Sequence, residues 1–216
     1  MRQLSIIILL ISIVISGTVA PTFSAVRGGV EYSIPVDYSK VNEQEVKKKA
    51  QEYFYLAQKL KDGVINEDMT NALTLYNVLQ NVDPNNIDYA VKTGTLYDKI
   101  SKDRQAKGCF SRAIGIDCSN PSPYFYFGEF YYKRQMYRKA LKYYNEAYKL
   151  GFQTNYDLLY KMGDIYEKFG DTRSSLKYLQ EANNQSPNPE LENKIKHIET
   201  IHSINNEYYS DTRIRN

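Results

Sequence analysis

Histidine and cysteine are scarce in this 216-residue chain, with two of each. His197 and His202 lie five apart with Glu199 between them. That is not the i, i+4 spacing that puts two imidazoles on one helix face for zinc, so no metal is expected and both read as surface histidines. Cys109 and Cys118 are nine residues apart. Across a mostly helical interval this separates their Cα atoms by on the order of 13 Å, beyond the roughly 7 Å that a disulfide spans. Both read as free thiols, and the C-x-x-C pattern of redox and zinc sites is missing. There is no G-x-S-x-G, no phosphate loop and no metal cluster. The carboxylates are scattered over helix surfaces rather than gathered into a tuned acid–base pair. No catalytic residue and no cofactor is expected, and the chain does not read as an enzyme.

Charge of one sign is also missing. Twenty-eight Lys and Arg face twenty-five Asp and Glu, a net +3. A nucleic-acid-binding domain favours a strongly basic face, so no nucleic-acid partner is expected. Lys47-Lys48-Lys49 is the only basic triplet, and between Glu45 and Glu52 it reads as a solvated helix face.

Long apolar runs are confined to the start. Leu4 to Ile15 is broken only by Ser5 and Ser12 and follows the basic Met1-Arg2. Small residues come after it, and together these describe a secretory signal peptide over residues 1–25. The cleavage point stays open among Ala20, Ser24 and Ala25. The rival is an uncleaved anchor over residues 4–20, at the short end of the roughly 17–25 residues of a spanning helix. Either reading exports the chain to the periplasm or beyond, and membrane contact follows only if that segment is retained. Residues 26–41 read as an extended linker.

What is present is a pattern that recurs about every 34 residues. Tyr124-x-x-Phe127-Gly128-x-x-Tyr131 is followed by Ala140-x-x-x-Tyr144 and Ala147. Leu159, Met162, Gly163 and Tyr166 lead in the same way to Ser175, Leu179, Ala182 and Pro187. Gly94 and Tyr97 lead to Ala106, Phe110 and Ala113. The interval from glycine to the second small residue is 12 in each case (94→106, 128→140, 163→175). An earlier copy is degenerate: Tyr53-x-x-Leu56-Ala57-x-x-Leu60 precedes Ala72-x-x-x-Tyr76 and Pro84, with about three extra residues around Gly63 and Asn66. Asn42-x-x-Glu45 forms a capping box ahead of it.

This pattern resembles the tetratricopeptide repeat (TPR), in which each unit is helix, turn, helix. The resemblance implies an all-α, right-handed helical-hairpin solenoid of about four repeats within residues 42–189: about 50–86, 87–120, 121–155 and 156–189. Leu191, Ile195, Ile198 and Ile201 recur at helical spacing, so residues 190–207 read as a capping helix that covers the last apolar face. Residues 208–216 read as a flexible tail.

In this family the first helices line a concave surface that commonly holds an extended or helical peptide. Spacing places that ridge on one helical stripe at glycine −6, −3, +1 and +4. The stripe reads Gln51, Phe54, Gln58, Lys61; Asp88, Val91, Thr95, Asp98; Ser122, Phe125, Glu129, Tyr132; and Asp157, Tyr160, Asp164, Glu167. The expected groove residues are Phe54, Asp88, Thr95, Asp98, Phe125, Glu129, Tyr132, Tyr160, Asp164 and Glu167. Lys99, Lys133 and Lys168 border them. The expected surface is acidic with an aromatic floor, suited to a basic or amphipathic peptide segment. Family members that clamp a C-terminal carboxylate use Lys, Arg and Asn here, and Asp88, Glu129 and Asp164 would repel that ligand. The implied role is a non-catalytic protein-interaction scaffold in the cell envelope. The alternative is a membrane-tethered structural subunit acting through its convex face or cap helix.

Overall fold

The computed structural model describes residues 22–27, 30–35 and 38–214. The expected signal or anchor over residues 4–20 lies outside the described residues. The chain divides into two compact units, residues 1–116 and 117–216. Apart from one short β-hairpin, both are built from helices among the described residues.

The N-terminal unit opens with that hairpin. Strand β1 (Thr22–Arg27) pairs antiparallel with β2 (Val30–Pro35), in a register that runs from Arg27↔Val30 to Thr22↔Pro35. The hairpin spans the last residues of the expected signal over 1–25 and the first residues of the expected extended linker over 26–41. The run Val30-Glu31-Tyr32-Ser33-Ile34 alternates apolar and polar residues, with β-branched and aromatic side chains at its odd places, which is a strand pattern. After a single turn at Tyr38–Lys40 come α1 (Glu43–Gln58), α2 (Glu67–Val82), α3 (Ile87–Lys99) and α4 (Asp103–Ile116). Asn42, Asn66 and Asn86 cap α1, α2 and α3, each accepting a hydrogen bond from the backbone N–H three residues on. Such caps satisfy donors that a helix start leaves orphaned.

The enlarged turn between α1 and α2 is tied down rather than loose. Gly63 takes a φ of +83°, and its N–H donates to the Lys99 carbonyl at 2.7 Å. The Lys99 ammonium donates to Asp62 at 3.2 Å. Ala50, Ala57, Met69, Ala72, Leu75, Tyr76, Leu79, Tyr89 and Leu96 form the core of these hairpins. The Tyr89 hydroxyl reaches out of it to donate to Glu43 at 2.6 Å. Gln80 and Arg112 link α2 to α4 through a 3.2 Å hydrogen bond.

The C-terminal unit holds α5 (Pro121–Lys133), α6 (Tyr137–Ala147), α7 (Tyr156–Lys168), α8 (Thr172–Gln185) and α9 (Pro189–Ile214). A widened turn at Tyr148–Phe152 ends α6, with Gly151 at φ +126°. Gly170 at φ +74° closes α7, and Asp171 then caps α8 by accepting from the Ser174 N–H at 3.1 Å. Tyrosines pair across each hairpin. Tyr131 stacks on Tyr143 with centroids 5.5 Å apart, and Tyr166 stacks on Tyr178 at 5.5 Å. Offset stacking of this kind adds specific geometry to apolar burial.

Leu191, Ile195 and Ile198 of α9 pack with Leu159, Leu179 and Ala182. The helix then runs on to Ile214, past the expected end at 207 and through most of the segment expected to be a tail. No glycine or proline follows Pro189, so nothing in the backbone stops it.

Glycines set the spacing within the hairpins. A Cβ on Gly94 would stand 2.8 Å from the Phe110 ring, and one on Gly163 would stand 2.7 Å from Leu179. One on Gly128 would meet the Tyr144 ring closer still. Each glycine lies eight residues after the asparagine that caps its helix (94−86, 128−120, 163−155). In α9 the same count from Asn188, which accepts from the Glu190 N–H, arrives at Lys196 (196−188 = 8). That lysine is exposed and paired with Glu192 at 2.7 Å. The last helix therefore lacks the bare backbone against which a second helix packs in those three hairpins.

Substituting Gly128→Ala forces the Tyr144 ring to move and is expected to destabilise the protein by about 1–3 kcal/mol. Gly108→Ala in α4 meets nothing within 4 Å and is expected to stabilise by about 0.5–1 kcal/mol. Urea unfolding of both variants checks the pair; the same sign for both would remove the close-approach account.

Candidate partner-binding face

The expected ridge falls on α1 and α3 in the N-terminal unit. Phe54 is half-buried, edge-on to Tyr76 at 5.8 Å. Lys92 sits 5.9 Å from each of these two rings and pairs with the exposed Asp88 at 2.8 Å. Phe54 and Asp88 thus meet at Lys92, a residue the stripe did not include. Thr95 turns inward on its own helix, donating to the Val91 carbonyl at 3.0 Å. Asp98 is only 8% exposed. The Tyr76 hydroxyl is buried without a hydrogen-bond partner, and burial, with Asp88 nearby, pushes its ionisation far up.

In the C-terminal unit the ridge falls on α5 and α7, and it is already occupied by internal bonds. Glu129 accepts from the Tyr144 hydroxyl at 2.5 Å and is paired with Lys161. Asp164, 8% exposed, accepts from the Tyr132 hydroxyl at 2.6 Å and from Lys168 at 2.8 Å. Lys194 of α9 lies 3.8 Å from Asp164 and 2.7 Å from Glu167. Among the described residues the acids Glu129, Asp164 and Glu167 all have a lysine partner. Two of the three lysines, Lys161 and Lys194, lay outside the expected border; of that border, Lys168 serves Asp164 and Lys99 serves Asp62. The glycine +1 position does not face open water. It lies beside the second-helix knob that fills the glycine, which is why Glu129 meets Tyr144.

The aromatic floor is half-buried. Phe125 packs with Tyr126, Tyr144 and Phe152, with centroids 5.3–6.1 Å away. Tyr132 lies 5.9 Å from Tyr137, and Tyr160 stacks on Tyr156 at 6.1 Å. Lys161 stands 5.5 Å from the Tyr132 ring and Lys194 stands 5.5 Å from the Tyr160 ring. The face is thus a half-exposed aromatic strip laced with compensated charge, rather than an open acidic groove. Sequence carried one signal for the lacing: Glu129 to Lys161 and Tyr132 to Asp164 are each 32 residues apart.

Burial works against the Asp164 charge, but hydrogen bonds from Lys168 and Tyr132, with the pull of both lysines, hold its carboxyl below the usual range. Burial and Asp164 push the Tyr132 phenol far up. Asp164→Asn is expected to cost about 1–3 kcal/mol at pH 7. A lowered folded value gives stability that is complete above the unfolded value near 3.9 and lost as pH falls through the folded one. Urea midpoints of wild type and variant should differ at neutral pH and converge in acid; a gap unchanged down to pH 2 would refute the assignment.

Comparison with known proteins fits this geometry. Residues 157–189, covering α7, α8 and their turns, match a tetratricopeptide repeat family model. A TPR repeat-containing protein of Methanocaldococcus jannaschii is 28% identical over 142 residues, 66% of this chain and 25% of that protein. The chain therefore spans about a quarter of that relative's length. A crystal structure of MamA protein superposes with a TM-score of 0.53 at 17% identity, covering 76% of this chain and 90% of that one. A structure of MamA AMB-1 gives 0.56 at 14% identity, covering 77% and 87%. At such identities the likeness concerns the fold alone. Residues 157–189 carry a tetratricopeptide repeat by sequence, and the chain has the all-α helical-hairpin fold of arrays of that repeat.

Proposed function

We propose that this chain is a non-catalytic scaffold of the cell envelope that holds an amphipathic peptide segment of a partner protein on the first-helix face of α5, α7 and α9. The tetratricopeptide-type fold is that of a protein-interaction scaffold. The observation that carries the finer reading is the strip of half-exposed aromatics Phe125, Tyr132 and Tyr160 on that face. Aromatic side chains offer large contact area at little conformational cost and dominate interface energetics. The acids there are already matched by Lys161, Lys168 and Lys194, so the segment need not be strongly basic. Apolar contacts to the rings would supply affinity, and the exposed Asp157 would set polarity. The envelope location rests on the apolar start of the sequence.

The alternative of a tethered subunit acting through the cap helix draws on Ile201 and Ile204 of α9, which are 46% and 58% exposed. Among the described residues no helix is long and apolar enough to cross a membrane, so any tether would be the N-terminal segment.

Photo-crosslinking in the native envelope separates the two. Probes at Tyr132 and Tyr160 should give a common adduct that a control probe at Lys142 on α6 does not. Adducts from Lys142 or from Ile204 alone would reject the first-helix face and favour the tethered subunit.

A further inference from the structure

The turn between α5 and α6 and the turn between α7 and α8 enclose a second surface. Gln135, Met136, Tyr137, Arg138, Lys139 and Phe169 line a notch of about 330 Å³. Met136 and Phe169 are 40% and 47% exposed. Tyr137 lies beside them, its ring edge-on to Phe169 at 6.4 Å. Large apolar side chains gathered at one exposed place mark interaction sites more often than scattered ones do.

The rim is cationic. Arg138 and Lys139 are exposed, and Lys168 stands 5.8 Å from the Tyr137 ring. The run from Lys133 to Lys139 contains Lys133, Arg134, Arg138 and Lys139 and no acid. Lys168 is held by Asp164, which leaves the charge of Arg138 and Lys139 at the mouth of the notch.

The place that starts the second helix differs between repeats: eight residues after Gly94 it is Lys102, whose ammonium cannot accept a capping bond. Eight residues after Gly163 comes Asp171, which caps α8 with its carboxylate. Eight residues after Gly128 comes Met136, which starts α6 with no side-chain cap bond. Folding favours an oxygen at such a place. A thioether there does nothing for the helix start, but it is adaptable in shape and suits a contact surface.

We infer that this notch binds a partner-protein segment in which one bulky apolar side chain is flanked by Asp or Glu. The apolar side chain would enter between Met136, Tyr137 and Phe169, and the carboxylates would meet Arg138 and Lys139. The apolar side chains sit at a turn and a helix start rather than along the amphipathic helix face that lies on a bilayer, which favours a protein segment. The ligand differs in charge from the segment assigned to the first-helix face, so either assignment can fail alone.

The test is selection of a random 12-residue phage library on the full chain, followed by binding of the enriched peptide in labelled form. Two variants decide the site. Met136→Asp gives α6 the cap that α8 already has, so it should melt no lower than wild type, while it puts a like charge into the notch. Arg138→Glu/Lys139→Glu reverses the rim. The expected result is a consensus of one Leu, Ile, Phe or Trp beside Asp or Glu, with Kd at least tenfold weaker for both variants. A consensus without acids, no enrichment, or binding unchanged in either variant would overturn the inference. Sedimentation of wild type but not Met136→Asp with phosphatidylglycerol vesicles would reassign the surface to lipid.

Discussion

The hairpins α3–α4, α5–α6 and α7–α8 are phased by one contact: a glycine in the first helix that lets a bulky second-helix side chain lie against bare backbone. Phe110 fills Gly94, Tyr144 fills Gly128 and Leu179 fills Gly163. The contact fixes how near the helices come, and so which neighbouring positions face inward. At glycine +1 a side chain lies beside the knob, so Glu129 meets the Tyr144 hydroxyl. At +4 it reaches the following first helix, so Tyr132 meets Asp164. In α9 the glycine place is taken by Lys196.

A second layer depends on that spacing. Polar groups on successive like helices meet at a separation of 32 residues: Gln80 with Arg112 on second helices, and Glu129 with Lys161 and Tyr132 with Asp164 on first helices. The separation is two short of the repeat, about half a turn of helix. Buried or half-buried charges need partners to offset lost hydration, and Lys194 links α7 to α9 at other separations, 30 residues from Asp164 (194−164) and 27 from Glu167 (194−167). This lacing fixes the register between successive hairpins, a task that apolar packing alone performs loosely.

The fold was legible in the sequence because its signals are local. The 12-residue interval from glycine to small residue, the Asn42 capping box and the apolar spacing of Leu191, Ile195 and Ile198 each report geometry within one hairpin or helix. The candidate face was only half legible. Phe125, Tyr132 and Tyr160 do lie on first helices with part of their rings in water, but a stripe drawn on one helix cannot show what the next helix places against it. Asp164 looks like a free acid until Lys194, thirty residues on (194−164), is folded beside it. The β1–β2 pairing was not legible because one stretch does not name its partner strand, nor was the run of α9 past residue 207, where no packing pattern marks the helix.

Departures from the repeat fall into two kinds. Most are absorbed by the fold: the long first turn is bonded to Lys99, a turn at Gly151 ends the second helix of the third repeat, and Lys196 is paired with Glu192. Each costs something locally and is compensated within the same chain. Met136 is not of that kind. It leaves α6 without the side-chain cap that Asp171 gives α8 and exposes a large apolar side chain. A position that breaks a local rule without a return inside the molecule is where a return from outside should be sought, and the neighbouring Phe169, Tyr137 and basic rim give that return a definite chemistry.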